Sequence, residues 1–183
     1  ACKGSEMKRI LVIGCCGAGK TMAALELGRK FSLPVYHLDK LWWLSGWREN
    51  TPEKFDAELA EILRLDSWII DGNYARTLPE RLKYADTVIF LKYSRILCLW
   101  RVFKRFLQYR GRSRADIADG CPERLNVEFL RYVWTFNRDM LPRIQRALEQ
   151  HPGVRVLTFS SPSKLRVFLA EAKEAGETLS ADR

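Results

Sequence analysis

Residues 14–21 read Gly-Cys-Cys-Gly-Ala-Gly-Lys-Thr and match the pattern G-x-x-x-x-G-K-[ST]. Glycines at this spacing let successive backbone N–H groups turn inward, and such a nest at a helix N-terminus attracts anions. In this arrangement Gly14, Gly17, Ala18 and Gly19 cradle phosphate oxygens. Lys20 reaches the β- and γ-phosphates, and the Thr21 hydroxyl ligates Mg²⁺. An apolar run over 8–13 (KRILVI) leads into the motif and a helical pattern leaves it, a context that separates it from a chance glycine turn. The chemistry implied is phosphoryl transfer or hydrolysis, with ATP and Mg²⁺ as cofactors.

Two acids end apolar runs. Asp71 closes WIID and can orient metal-bound water, or else cap the turn before Gly72. Asp39 closes the run PVYHLD, where it can accept a hydroxyl proton, bind Mg²⁺, or simply face solvent from a turn. Trp42, Trp43 and Trp47 follow it, as stacking surfaces for a ring or as cover for the core edge. Arg101 and Arg105 lie four apart on one predicted helix, with Arg138 further on. The planar guanidinium suits a transferring phosphoryl group, although a solvated basic face is the default for any single arginine.

The elements needed to position these groups can be read along the chain. Strands are predicted over 8–13, 34–38, 68–72, 87–93 and 154–159. Between them come helices over 20–31, 51–65 (Thr51 as cap, Pro52 at the first position), a short one around 78–84, and one from the Ser94 cap to about Tyr109. A polar, glycine-bounded loop follows, then a helical stretch from Pro122 to about Gln150, kinked near Pro142. A last helix begins at the Ser161 cap, with Pro162 at its first position. Such alternation implies a three-layer α/β sandwich around a largely parallel five-stranded sheet. Ligands in such sheets gather at the carboxyl ends of the strands, which adds Ser161 to the nucleotide-binding candidates.

Bulk properties narrow the class. The 183 residues suffice for one domain and are 47% hydrophobic and 29% charged, a globular balance. No apolar run reaches the roughly 18–20 residues a spanning helix needs, so no membrane partner is expected. Five cysteines without a CxxC pair, and only two histidines, argue against a disulfide scaffold or zinc site and for a reducing cytoplasm. Cys15 and Cys16 read as small residues at variable loop positions. The formal net charge is +9, and residues 94–146 hold twelve Arg or Lys against five acids. That excess suits a polyanion, either the phosphates of a nucleotide or nucleic acid. No helix-turn-helix or aromatic-interleaved basic platform stands out, so nucleic acid is possible through this segment but not favoured. Residues 1–6 carry no pattern and precede Met7, so they read as an artificial leader. A single domain is expected over 7–174, with a short lid at about 110–121 and a frayed tail at 175–183.

The segments IGCCGAGKT, VYHLDKLWW, WIIDGNY, IFLKYSR, YRGRSRADIADGCPERL and EFLRYVW together resemble the bacterial DNA topology modulation proteins, relatives of adenylate kinase and shikimate kinase. The resemblance spans about residues 7 to 150, and GRSRADIADGCPE is its most specific block. It implies a nucleoside-monophosphate-kinase-like P-loop fold with strand order 2-3-1-4-5 and a lid over the nucleotide. It also implies a phosphate loop at Gly14–Thr21, a metal-orienting acid at Asp71 and lid-base arginines at Arg101 and Arg105. Asp39 matches the acceptor-side acid of shikimate and gluconate kinases. Where the family reads Leu-Asp-x-Pro-Arg after the fourth strand, this chain reads Leu91-Lys92-Tyr93-Ser94-Arg95. The D-G-F-P-R segment of adenylate kinase is not reproduced, which weakens an AMP-phosphate role for Arg76. The reading is an ATP-dependent phosphotransferase acting on a small-molecule or nucleotide acceptor. The alternatives are a nucleic-acid-associated ATP-binding protein and a simple NTPase.

Overall fold

The computed structural model describes residues 7–109, 117, 120–122 and 125–178, with side chains up to residue 172. Most of the expected lid at 110–121 therefore lies outside the described residues, as do 1–6 and 179–183. Seven strands and eight helices alternate among the described residues. β1 (Arg9–Gly14), β2 (Val35–His37), β5 (Trp68–Asp71), β6 (Thr87–Leu91) and β7 (Arg155–Phe159) form one parallel sheet in the order β2-β5-β1-β6-β7. Counting only these five strands, that is 2-3-1-4-5, as expected.

The central strands are apolar on both faces because helices cover both. Ile10, Leu11, Val12 and Ile13 of β1, Ile69 and Ile70 of β5, and Val88 and Ile89 of β6 are all fully buried. Parallel strands need crossovers, which α1 (Lys20–Phe31), α3 (Pro52–Leu63), α4 (Leu78–Tyr84) and α5 (Arg95–Tyr109) provide. Thr51 caps α3, its hydroxyl accepting from the Lys54 N–H at 3.4 Å, and Ser94 receives the Leu97 N–H at 3.3 Å.

Three features depart from the sequence reading. The stretch expected as one kinked helix from Pro122 begins at Val127, where Asn126 caps it, and is two helices: α6 (Val127–Asp139) and α7 (Leu141–Glu149). Pro142 sits in the first turn of α7, where it has no N–H to give the Arg138 carbonyl, so the hydrogen-bond ladder of α6 ends at Met140. After β2 comes a short helix, α2 (Leu38–Trp42), and then a hairpin of β3 (Trp43–Leu44) and β4 (Arg48–Glu49) that turns at Gly46 and Trp47, both at positive φ. Asp39 therefore stands in the first turn of α2, not at a strand end. Finally, α8 (Pro162–Thr178) continues past the point where the sequence pattern fades.

The turn after β5 is held by a buried arginine. Arg81 of α4 is fully buried and donates to the carbonyls of Gly72 (3.0 Å), Asn73 and Tyr74 (3.1 Å). Burial pushes its guanidinium below the ordinary arginine range, and the carbonyl fork is what keeps a cation there. Arg81→Met keeps the bulk but takes the guanidinium from the Gly72 and Asn73 carbonyls, while the Tyr74 carbonyl keeps the Thr77 N–H at 3.0 Å. We expect a loss of about 3 kcal/mol in chemical-denaturant unfolding, as for removal of a buried charged hydrogen-bond donor.

Candidate functional site

The phosphate loop joins β1 to α1 and is shaped by what lies behind it. A side chain at Gly14 (φ +147°) would meet the Leu91 carbonyl oxygen at 2.5 Å, and one at Gly17 (φ +83°) would meet the Cys98 carbonyl oxygen at 2.4 Å. Backbone cannot yield as a side chain can, so glycine is required at both. Ala18 N–H donates to the Cys15 carbonyl at 3.1 Å and closes the turn. Gly19, also at positive φ, precedes α1 and gives it no side-chain cap, and α1 has no acid in its first turn. A twelve-residue helix thus points an uncapped, partially positive end into the loop.

Lys20 folds back across this loop, its Nζ 3.3 Å from the Cys15 carbonyl. Burial pulls its ammonium down, while Cys16, Asp71 and Asp39 push it up, and the net shift is upward. Lys20 is therefore a cation held ready beside two carboxylates. Cys15 is buried, not a tolerant surface position: its thiol faces the Val133 carbonyl at 3.8 Å, and its pKa is driven up by a hydrogen bond with Cys98 and by burial.

Thr21 and Asp71, both expected at a metal, lie side by side. The Thr21 hydroxyl donates to Asp71 Oδ2 at 2.9 Å, and His37 Nδ1 lies 3.1 Å from the same oxygen. Asp71 Oδ1 is buried without a hydrogen-bond partner. A hydroxyl and an unsatisfied carboxylate oxygen at the mouth of a phosphate loop are oxygen donors of the kind Mg²⁺ takes together with water and phosphate oxygens. The residues therefore fit that ion.

Asn73 was not singled out from the sequence, although it stands at a strand's carboxyl end, where ligands gather. Its amide accepts from Gly14 N–H at 3.0 Å and donates to the Gly14 carbonyl at 2.8 Å, bridging β5 to the start of the phosphate loop. Its neighbour Tyr74 donates to Asp39 Oδ1 at 2.8 Å. Burial and the Asp39 charge hold the Tyr74 hydroxyl protonated. The two acids thus divide the cleft: Asp71 beside the phosphate loop, and Asp39 on the side lined by Tyr74, Phe55 and Trp42. Phe55 and Tyr74 stack with centroids 5.2 Å apart, and Trp42 meets them edge-on at 5.6 and 6.2 Å.

Trp42 therefore covers the core edge, whereas Trp43 and Trp47 pair on the hairpin at 5.3 Å. The hairpin is joined to the far end of the segment after α5. Gly46 N–H donates to the Gly120 carbonyl at 3.1 Å, Trp47 Nε1 to the Pro122 carbonyl at 3.0 Å, and Cys121 Sγ to the Leu44 carbonyl at 3.2 Å. Arg76 spends its fork on Asp56, at 2.8 and 2.7 Å, which leaves it a surface pair.

The arginine candidates separate. Arg101 reaches the phosphate loop, donating to the Ala18 carbonyl at 3.2 Å from above the Tyr93 ring. Arg105, one turn later, lies 6.0 Å from the Phe129 ring centroid, toward α6. Arg138 is exposed and pairs with Asp139 through two hydrogen bonds, at 2.7 and 3.1 Å. Ser161 caps α8 at the end of β7, receiving the Lys164 N–H at 3.4 Å, with the Ser163 hydroxyl 3.0 Å away. Lys92 is exposed, and its backbone N–H donates to Phe159.

No protein-family model and no curated protein matches the chain. Solved structures do. A shikimate kinase from Bacteroides thetaiotaomicron is 17% identical, with 94% of this chain and 99% of that one covered and a TM-score of 0.51. A shikimate kinase from Acinetobacter baumannii in complex with shikimate is 15% identical, with 94% and 90% covered and a TM-score of 0.53. At such identities the likeness speaks for the fold, that of the shikimate-kinase-like P-loop proteins.

The Asn73 bridge yields a direct expectation. Asn73→Ala removes both of its hydrogen bonds to Gly14, so titration calorimetry with MgATP should show affinity lowered about tenfold, as for loss of one to two buried hydrogen bonds. The fold should persist by circular dichroism.

Proposed function

We propose that the protein is an ATP-dependent phosphotransferase that delivers the γ-phosphoryl group to a hydroxyl on a small-molecule or nucleotide acceptor. The observation that carries the proposal is two sets of groups around Lys20: Thr21 and Asp71 at the phosphate loop, and Asp39, which is held by Tyr74 and also raises the Lys20 pKa. A plain NTPase needs only the first set. Shikimate kinases with the same fold act on a small hydroxylated acceptor, which supports the reading. Among the described residues of the basic segment 94–146, Arg101, Arg105 and Arg138 lie in unlike environments: the phosphate loop, the Phe129 ring and Asp139. This favours the kinase over a nucleic-acid-associated ATP-binding protein related to DNA topology modulation.

In this reading the backbone N–H groups of Gly14–Lys20 bind the β-phosphate, and Lys20 swings off the Cys15 carbonyl to the γ-phosphate. Mg²⁺, when bound, neutralises phosphate charge. Thr21 and Asp71, the latter held by His37, are the residues that would hold it. Asp39 accepts a hydrogen bond from the attacking hydroxyl and then its proton. Arg101 leaves the Ala18 carbonyl to meet charge developing on the transferring group, an interaction stronger in the transition state than in the ground state.

Lys20→Ala should lower kcat at least about 10²-fold, the scale of one lost electrostatic contact at a transition state. Near-normal turnover would sink the proposal. Arg101→Ala should cut kcat with little change in ATP affinity, whereas Arg105→Ala should do much less, because Arg101 holds the Ala18 carbonyl while Arg105 lies over the Phe129 ring. If both instead weaken duplex binding and each lowers its salt slope by roughly one unit, the arginines serve nucleic acid.

A further inference from the structure

α5 leaves one side unpartnered. Ile96, Trp100, Phe103 and Leu107 recur at helical spacing and are 70%, 58%, 50% and 58% exposed. They form a stripe about 16 Å long. Beside it on α6, Val127 and Trp134 are 80% and 48% exposed. Between the helices runs an apolar groove of about 720 Å³ whose walls include Leu99 and Leu130. Exposed apolar surface this continuous marks an interaction site.

Cations frame it. The Arg95 guanidinium lies 4.1 Å from the Trp134 ring centroid, the Lys104 ammonium lies 5.3 Å from that of Trp100, and exposed Arg131 lines the groove. α5 contains no acid over its 15 residues, and α6 has only Glu128 before Asp139. A second copy of this chain would bring these cations face to face. A partner helix would need a cleft that encloses it, whereas these walls stand half to four-fifths exposed. A broad anionic surface with an apolar layer just beneath it satisfies both the charge and the shallowness.

We infer that the outer face of α5 and α6 docks on an anionic lipid surface, with Trp100, Phe103 and Trp134 entering the headgroup boundary and Arg95, Lys104 and Arg131 meeting lipid phosphates and carboxylates. Among the described residues no helix is long and apolar enough to cross a membrane. A helix lying in the interface needs only an apolar stripe and flanking cations, and its apolar side sinks roughly 5–10 Å. This goes beyond the proposed phosphotransfer and does not depend on it, because Arg101 faces the phosphate loop from the other side of α5.

The test is co-sedimentation of the full chain with vesicles of about three parts phosphatidylcholine to one part phosphatidylserine, against phosphatidylcholine alone. Tryptophan emission is read in parallel. We expect binding to the anionic vesicles with a blue shift, and little to the neutral ones. Lys104→Glu, a change of two charges, should weaken it about 25-fold, from roughly fivefold per unit of surface charge. Trp100→Glu should abolish the blue shift. Both side chains are exposed, so thermal unfolding should match wild type. No association with the anionic vesicles overturns the inference, as does association that Trp100→Glu leaves intact, which would be charge attraction alone. A wild-type dimer that Trp100→Glu splits would assign the face to a second copy, and binding of an acidic amphipathic peptide without vesicle binding would assign it to a protein partner.

Discussion

The amide of Asn73 makes two hydrogen bonds to the backbone of Gly14, tying the end of β5 to the first residue of the phosphate loop. The rest of the site depends on this bridge, because a loop that binds phosphate through N–H groups works only if those groups already point inward. The bridge is itself held: Arg81 grips the carbonyls of Gly72, Asn73 and Tyr74 from within the core. On the other side, Gly14 and Gly17 press against the backbone of Leu91 and Cys98 with no room for a side chain. A buried cation thus fixes a turn, the turn an amide, and the amide the loop.

That chain of contacts also explains how two acids serve different ends. Strand register sets His37 of β2 beside Asp71 of β5, and the first turn of α1 brings the Thr21 hydroxyl to the same carboxylate. Asp39 follows β2 by one turn of helix and is held by Tyr74, which the Arg81 clamp positions in turn. The aromatic wall of Trp42, Phe55 and Tyr74 gives that second half of the cleft a fixed shape. Rigidity there suits the orientation of an acceptor more than the admission of bulk water.

The five parallel strands, the helices between them and the glycine turn at 14–21 were legible from local signals (apolar runs, glycine spacing, caps at Thr51 and Ser94), whereas the strand order came from the family resemblance alone. What was not legible depends on distant backbone. Nothing near Asn73 announces that its partner is Gly14, fifty-nine residues away, and nothing near Arg81 shows that its fork is spent on carbonyls. The hairpin of β3 and β4 escaped because strands of two residues carry no alternation to read. Arg101 and Arg105 share a face by spacing, yet a helix face is wide enough for one to meet the loop and the other Phe129. Clustering in sequence likewise set Arg138 beside them, although its partner is its own neighbour, Asp139.

The central claim is that the loop hands its phosphoryl group to an acceptor on the Asp39 side. Its most direct measurement follows ADP formation from ATP across a panel of hydroxylated small molecules and nucleoside monophosphates, in wild type and in Asp39→Asn. The account predicts that one class of acceptor raises ADP formation with matching phosphorylated product. It also predicts that Asp39→Asn loses this increment while binding ATP as before. ADP formation indifferent to every hydroxyl but stimulated by duplex DNA, and unchanged in Asp39→Asn, would contradict it.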